Sequence, residues 1–264
     1  MARANQLRAK LAAGRTCLGP LFQEFWSPEL FEFCALAGFD FVIADGEHAG
    51  VDPQAVRSLA RATQGAGATA LARVPNGEPS LVLRYLDAGV EGLILPHCNS
   101  AADAEGLVRA SRYPPRGIRG AASTSRAAGY GFTQTPVEHL AQSDREVLCL
   151  GLIEEPRAVE ALPEILRVEG LDGCFVGAGD MALTLGRQYY GGPTMHPDVR
   201  RLVDRAIDLT LTAGKVVMYP AATGAEAHQM SQRGVRLITM NFGVLARRAI
   251  SDFLAAARGE PGSR

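Results

Sequence analysis

Two hydrophobic periods alternate along this chain. Short, almost continuously apolar runs lie at Cys17–Phe22, Phe39–Ala44, Thr69–Ala72, Gly92–Leu95, Val147–Leu152, Gly173–Val176, Val216–Tyr219 and Leu237–Met240. They are too short for buried helices and lack the polar alternation of a half-exposed strand. They therefore predict strands covered on both faces, as in a parallel sheet. Between most of them, apolar residues recur at helical spacing: Ser27–Ala37, Asp52–Thr63, Ser100–Arg112, Arg157–Val168, Pro197–Ala213, Thr223–Arg233 and Val244–Ala257. Several of these open on a Ser, Thr or Asp able to accept from first-turn N–H groups, and several stop near Gly. A further N-terminal helix carries Lys10.

Eight β/α units predict a single-domain (β/α)8 TIM barrel spanning 1–264, with a doubly wound open sheet as the runner-up. No linker divides the chain. The Gly-, Ser- and Arg-rich stretch Tyr113–Gly131 reads as a long barrel loop and so as a candidate lid, and Gly259–Arg264 as a frayed tail.

Composition narrows the classes. The 264 residues include 47% hydrophobic and 21% charged positions, with a formal net charge of −1. That leaves no basic excess for nucleic acid or an anionic membrane surface. No apolar run approaches the roughly 20 residues of a membrane span. The polar start Met1–Gln6 lacks a signal-peptide core, and the five scattered cysteines (Cys17, Cys34, Cys98, Cys149 and Cys174) form no CxxC pair. A reducing cytoplasm is the expected location. Of the 27 basic residues only Lys10 and Lys215 are lysines, so a Schiff base would have to use one of these two.

In a TIM barrel, chemistry sits where the strands end. Just past the predicted strands come Gln23 and Glu24, then Asp45, Glu47 and His48, then Arg73, His97, Glu154 and Glu155, Asp180, Tyr219-Pro220 and Asn241. Glu154 and Asp180 come after consecutive strands. They either flank a divalent cation, since paired carboxylates repel, or are two solvated rim charges. Asp45, three residues before His48, is placed to orient its imidazole as in a catalytic dyad. Arg73 at the mouth is a donor for a carboxylate or enolate oxygen. His97 and Cys98 read as non-ligands, because an oxygen-rich site needs no thiolate. Cys149 and Cys174 read as core.

The segments Phe41-Val-Ile-Ala-Asp-Gly-Glu-His48, Ala72-Arg-Val-Pro75, Leu86-Asp-Ala-Gly89, Tyr113-Pro-Pro-Arg-Gly-Ile-Arg-Gly120, Ile153-Glu154, Glu169-Gly-Leu-Asp172 and Gly177-Ala-Gly-Asp180 occur in this order and spacing. Through them the chain, from about Leu18 to Ile250, resembles the class II pyruvate aldolases. These include 4-hydroxy-2-oxoheptanedioate aldolase and 2-dehydro-3-deoxyglucarate aldolase. The resemblance implies that Glu154 and Asp180 bind a divalent cation (Mg²⁺, Mn²⁺ or Co²⁺) and that a 2-oxo acid such as pyruvate chelates it. It implies that Arg73 stabilises the enolate oxygen, and that Asp45 and His48 move protons with water, Glu47 lying beside them. The N–H groups near Gly179 and Asp180 are implied to hold the substrate carboxylate. It further implies a homohexamer with the C-terminal helix exchanged between neighbours.

Two positions depart from the family pattern. Leu152 stands where the family has a pyruvate-contacting Gln, and Gly177-Ala178-Gly179 replaces a Gly-Pro turn before Asp180.

The expected reaction is a reversible retro-aldol cleavage of a 4-hydroxy-2-oxo acid. The rivals are 2-oxo acid decarboxylation or macrophomate synthase-like C–C bond formation at the same site, and a non-catalytic small-ligand barrel. A phosphosugar isomerase is disfavoured, because the turns after the last two strands carry no Gly-rich phosphate cradle. The Tyr113–Gly131 loop is expected to line the aldehyde pocket, its Arg116, Arg119 and Arg126 hinting at an acidic substrate.

Overall fold

The computed structural model describes residues 4–192 and 194–259. The chain runs α1 (Gln6–Ala12), β1 (Cys17–Phe22), α2 (Pro28–Leu36), β2 (Phe41–Asp45), α3 (Pro53–Gly65), β3 (Thr69–Arg73), α4 (Pro79–Ala88) and β4 (Gly92–Leu95). It continues through α5 (Ala101–Ser111), α6 (Pro136–Glu146), β5 (Leu148–Ile153), α7 (Pro156–Ile165), β6 (Gly173–Val176), α8 (Ala178–Leu185), α9 (Pro197–Thr212), β7 (Val216–Pro220), α10 (Gly224–Gln232), β8 (Leu237–Asn241) and α11 (Phe242–Arg258). The strands pair in parallel and in sequence order, and β8 returns to β1 to close the barrel. The TIM barrel is therefore the fold, and the open-sheet alternative falls.

Two apolar layers explain why the strands read as continuous runs. One layer packs the outward-facing strand residues against the helices. The other fills the barrel interior with Leu21, Phe41, Ile43, Leu71, Ile94, Leu148, Leu150, Leu152, Phe175, Met218 and Leu237. Leu7 of α1 joins the inner layer and is fully buried, so the N-terminal helix closes the bottom. Asn5 holds that plug in place: its side chain caps α1 and donates to the carbonyls of Glu91 and Glu146. All five cysteines are buried and unpaired.

Three helices fall outside the helical segments read from the sequence. In α6 only His139 is buried, and α8 starts in a Gly-rich turn. The third, α4, begins at Pro79, behind its Glu78 cap. Of the expected tail only Gly259 is described; it caps α11 with φ 69°. Residues 260–264 lie outside the described residues.

The Tyr113–Gly131 loop is not a lid over this chain's own mouth. It leaves α5 at the lower end of the barrel and is tied there. Arg119 bonds Asp87 at 2.8 Å, and Arg126 reaches Gln64 at 2.6 Å and the Ala88 carbonyl at 3.4 Å. Asp87 and Ala88 close α4 and Gln64 closes α3, ends that feed the bottoms of the next strands. A cavity of about 390 Å³ opens here, with Asn5, Glu91, Arg119, Arg126 and His139 in its wall. The loop follows a helix, α5, rather than a strand, and that puts it at the end of the barrel opposite the mouth.

Candidate active site

The alternation of strand side chains builds the mouth. On β2, Phe41 and Ile43 point into the barrel, and Asp45, the next residue of that parity, reaches the top of the interior. On β3, Leu71 and then Arg73 obey the same rule, and on β5, Leu148, Leu150 and Leu152 lead to Glu154. The polar ring thus stands on a plug of apolar side chains.

Asp45 and Arg73 are partners in strand register. Arg73 Nε donates to Asp45 Oδ1 at 2.9 Å and Nη2 to Oδ2 at 2.5 Å. The third nitrogen, Nη1, lies 3.0 Å from Glu47 Oε2. Burial works against the guanidinium's charge, but Asp45, Glu47 and Glu154 outweigh it and hold Arg73 protonated more firmly than a free arginine.

The structure turns the Asp45 carboxylate toward Arg73 and sets the His48 imidazole beside Glu47. Asp45 folds back onto its own turn, where Oδ1 accepts from the Glu47 N–H at 2.9 Å and the His48 N–H at 3.4 Å. A buried guanidinium must be paired, and a short Asx turn satisfies itself locally, so both carboxylate oxygens are engaged before an imidazole is offered. The His48 ring is half-exposed, with Nε2 3.9 Å from Glu47 Oε2. Gly46 permits the turn. A Cβ there would collide with the Tyr85 hydroxyl and lie 2.9 Å from the Arg73 carbonyl.

Glu154 is 2% exposed. Desolvation pushes its carboxyl up to about 7. The His97 backbone N–H and imidazole oppose that rise, and the charges of Glu47 and Asp180 add to it. Asp180 sits in the first turn of α8, whose N-cap is Gly177 and whose leading N–H groups receive no side-chain cap. A Cβ on Gly177 would stand 3.0 Å from Glu154 Cβ and 3.1 Å from Leu152 Cδ1, whereas Gly179 faces open space. Leu152 belongs to the interior plug directly beneath.

His97, set aside on sequence grounds, is at the centre of the site. Its Nδ1 lies 3.3 Å from Glu154 Oε1 and 3.2 Å from Glu155 Oε1, and its Nε2 lies 3.6 Å from Glu47 Oε1. Glu47, His97 and Glu154 each offer a ligand atom within 4.8 Å of the others, a donor set able to hold a metal ion. The one sequence signal for His97 is its position immediately after β4 and Pro96. Cys98 is fully buried and its thiol is pushed up to about 12, chiefly by desolvation, as a core residue's would be.

Both lysines are far from this mouth. Lys10 pairs with Asp40 just below β2, and Lys215 donates to the carbonyls of Val168 and Leu171 below β6.

A closed parallel barrel with an arginine clamp and a carboxylate cluster at its C-terminal mouth defines a class of barrel enzyme. Comparison with known proteins narrows it. Residues 20–237 match the family described as HpcH/HpaI aldolase/citrate lyase. The chain is 32% identical over 244 residues to a hydroxypyruvate/pyruvate aldolase of Roseovarius nubinhibens, covering 92% of this chain and 93% of that protein. It is 32% identical over 236 residues to a 5-keto-4-deoxy-D-glucarate aldolase of Escherichia coli, covering 89% and 90%. The solved structure of an HpcH/HpaI aldolase/citrate lyase family protein from Burkholderia cenocepacia matches with a TM-score of 0.88 and 33% identity, over 96% of this chain and 99% of that one. The chain belongs to the HpcH/HpaI aldolase/citrate lyase family and is an enzyme of the lyase class.

Proposed function

We propose that this chain is a divalent-metal-dependent aldolase. It reversibly cleaves a 4-hydroxy-2-oxo acid into pyruvate, or a related 2-oxo acid, and an aldehyde. Two relatives bear aldolase names, one for hydroxypyruvate and pyruvate and one for a keto-deoxy-glucarate. The observation that carries the reading is Glu154, a carboxylate buried among further acids at the barrel mouth. Glu154 and Asp180 would hold Mg²⁺, Mn²⁺ or Co²⁺. The bound cation supplies Lewis-acid polarisation of the 2-oxo group and offsets the charge that develops there.

The chain's own residues do the rest. The α8 N-terminus, at Gly179 and Asp180, presents N–H groups to the substrate carboxylate. Arg73, fixed by Asp45, donates to the 2-oxo oxygen as it gains negative charge. The half-exposed His48 imidazole takes the proton of the 4-hydroxyl. The C3–C4 bond then breaks, its electrons pass into the enolate, the aldehyde departs and C3 is reprotonated. Asp45 acts through Arg73 as a positioning residue. Leu152 gives the 2-oxo acid an apolar floor, and Glu47 steadies Arg73 from the other side.

The test is direct. Chelation by EDTA should abolish release of pyruvate and aldehyde, and Mg²⁺, Mn²⁺ or Co²⁺ should restore it. Borohydride trapping of pyruvate on Lys215 would overturn the reading.

Assembly belongs to the same proposal. Ile250, Phe253 and Leu254 of α11 and Phe33 and Leu36 of α2 are exposed, which supports a homo-oligomer. A hexamer with α11 exchanged is the expected form, and light scattering on the purified chain measures it. Among the described residues no helix is long and apolar enough to cross a membrane. The near-zero net charge gives no footing for nucleic acid.

A further inference from the structure

We propose that His97 is a nitrogen ligand of the metal at this mouth, and that it sets which metal the enzyme takes. The inference rests on the reading above, in which Glu154 holds a cation.

Three observations carry it. First, the imidazole reaches two of the acids with different nitrogens, Nδ1 to Glu154 at 3.3 Å and Nε2 to Glu47 at 3.6 Å, in a cluster whose ligand atoms lie within 4.8 Å of one another. Donors sharing one ion at about 2.1 Å each are separated by up to about 4.2 Å, so small side-chain rotations close this set. Second, the backbone is committed to that placement. His97 has φ 49°, a left-handed conformation that a side-chain-bearing residue rarely adopts. It is held there by its own N–H to Glu154 Oε1 at 2.7 Å and by the Cys98 N–H to the Leu152 carbonyl at 3.1 Å. Disfavoured backbone of this kind collects where the surroundings fix a side chain for function. Third, Glu47 faces both neighbours with different oxygens: Oε2 lies 3.0 Å from Arg73 Nη1 and Oε1 lies 3.6 Å from His97 Nε2.

A mixed nitrogen–oxygen site differs chemically from an all-oxygen one. Mg²⁺ prefers oxygen donors and keeps its waters, whereas imidazole favours Co²⁺, Ni²⁺ and Zn²⁺. His97 should therefore tilt the site toward transition metals.

The experiment titrates the metal-stripped full-length chain with Mg²⁺ and separately with Co²⁺, by calorimetry and by the visible spectrum of Co²⁺. His97→Gly suits the backbone and removes the ring; His97→Asn, also tolerant of positive φ, is the second variant. Both should weaken Co²⁺ binding by about tenfold or more while leaving Mg²⁺ binding nearly unchanged, and should alter the Co²⁺ bands. An unchanged Co²⁺/Mg²⁺ ratio, with Glu154→Gln abolishing binding, overturns the ligand role alone. Tighter binding of both metals in the variants also overturns it, because the ring would then be a competitor for the cation position. If the unaltered chain binds neither ion, the metal reading itself fails and this inference falls with it.

Discussion

Asp45 and Arg73 face one another in register on neighbouring strands, and two hydrogen bonds join the carboxylate to the guanidinium beneath the barrel mouth. The pair is almost wholly buried, with side-chain exposures of 0% and 5%. That fixes the plane and height of the arginine's remaining nitrogen, which is what a donor to a developing oxyanion requires. Removing one partner leaves a buried charge. Asp45→Ala should cost about 3–5 kcal/mol in urea unfolding, and Asp45→Ala with Arg73→Met markedly less. Arg73→Lys keeps the charge but loses the fork, and kcat should fall on the order of 10²–10³-fold. Equal stabilities for the Asp45 variant and the unaltered chain would show that the clamp is energetically idle.

The metal-free chain should lose stability as pH rises across neutrality. Desolvation raises the Glu154 carboxyl to about 7 in the folded chain, above its value of roughly 4.3 when unfolded. The folded state therefore binds more protons in that window, and stability falls with pH. The contribution is whole below the unfolded value and gone once pH has passed through about 7. Thermal melts of the metal-free chain and of Glu154→Gln, compared from pH 4.5 to 8.5, should show the unaltered chain weakening relative to the variant toward high pH. Parallel profiles would be the wrong result.

Gly177 has a specific duty in the site. A methyl group there meets Glu154 Cβ at 3.0 Å and Leu152 Cδ1 at 3.1 Å, so Gly177→Ala must displace the carboxylate by a few tenths of an ångström. Metal affinity should drop several-fold while the melting temperature moves little, since the shift is confined to the rim. Calorimetric titration with Mn²⁺ measures the first and a thermal scan the second.

Leu152 lies in the interior layer directly under the mouth. Leu152→Gln should destabilise the chain by about 1–3 kcal/mol, because an amide enters an apolar layer. It should also change the ratio of kcat/KM for hydroxypyruvate over pyruvate, by giving the 2-oxo acid a polar neighbour. Measuring CO₂ release alongside pyruvate and aldehyde separates cleavage from decarboxylation. An unchanged substrate ratio would place Leu152 outside the pocket.

Lys215 bonds backbone carbonyls at the bottom of the barrel. Lys215→Met should therefore retain turnover and lose about 1 kcal/mol of stability. Loss of turnover at full stability would revive imine chemistry.

By itself the sequence determined the barrel. Its eight apolar runs are strands because a parallel sheet wrapped by helices buries both faces, a pattern that hydrophobicity alone records. It also determined that Asp45, Arg73 and Glu154 share one rim, since they extend the inward parity of residues already committed to the interior. The scarcity of lysine argues against Schiff-base chemistry, and both lysines do lie below the barrel. Tertiary structure decided the pairings. Asp45 took Arg73 rather than His48, because a partner in strand register is nearer than one around a turn and a buried guanidinium cannot remain alone. His97 joined the acids through a left-handed backbone residue, a property that no side-chain pattern encodes. The long arginine-rich loop went to the bottom of the barrel because it comes after a helix rather than a strand. In this architecture each helix returns the chain to the end opposite the chemistry.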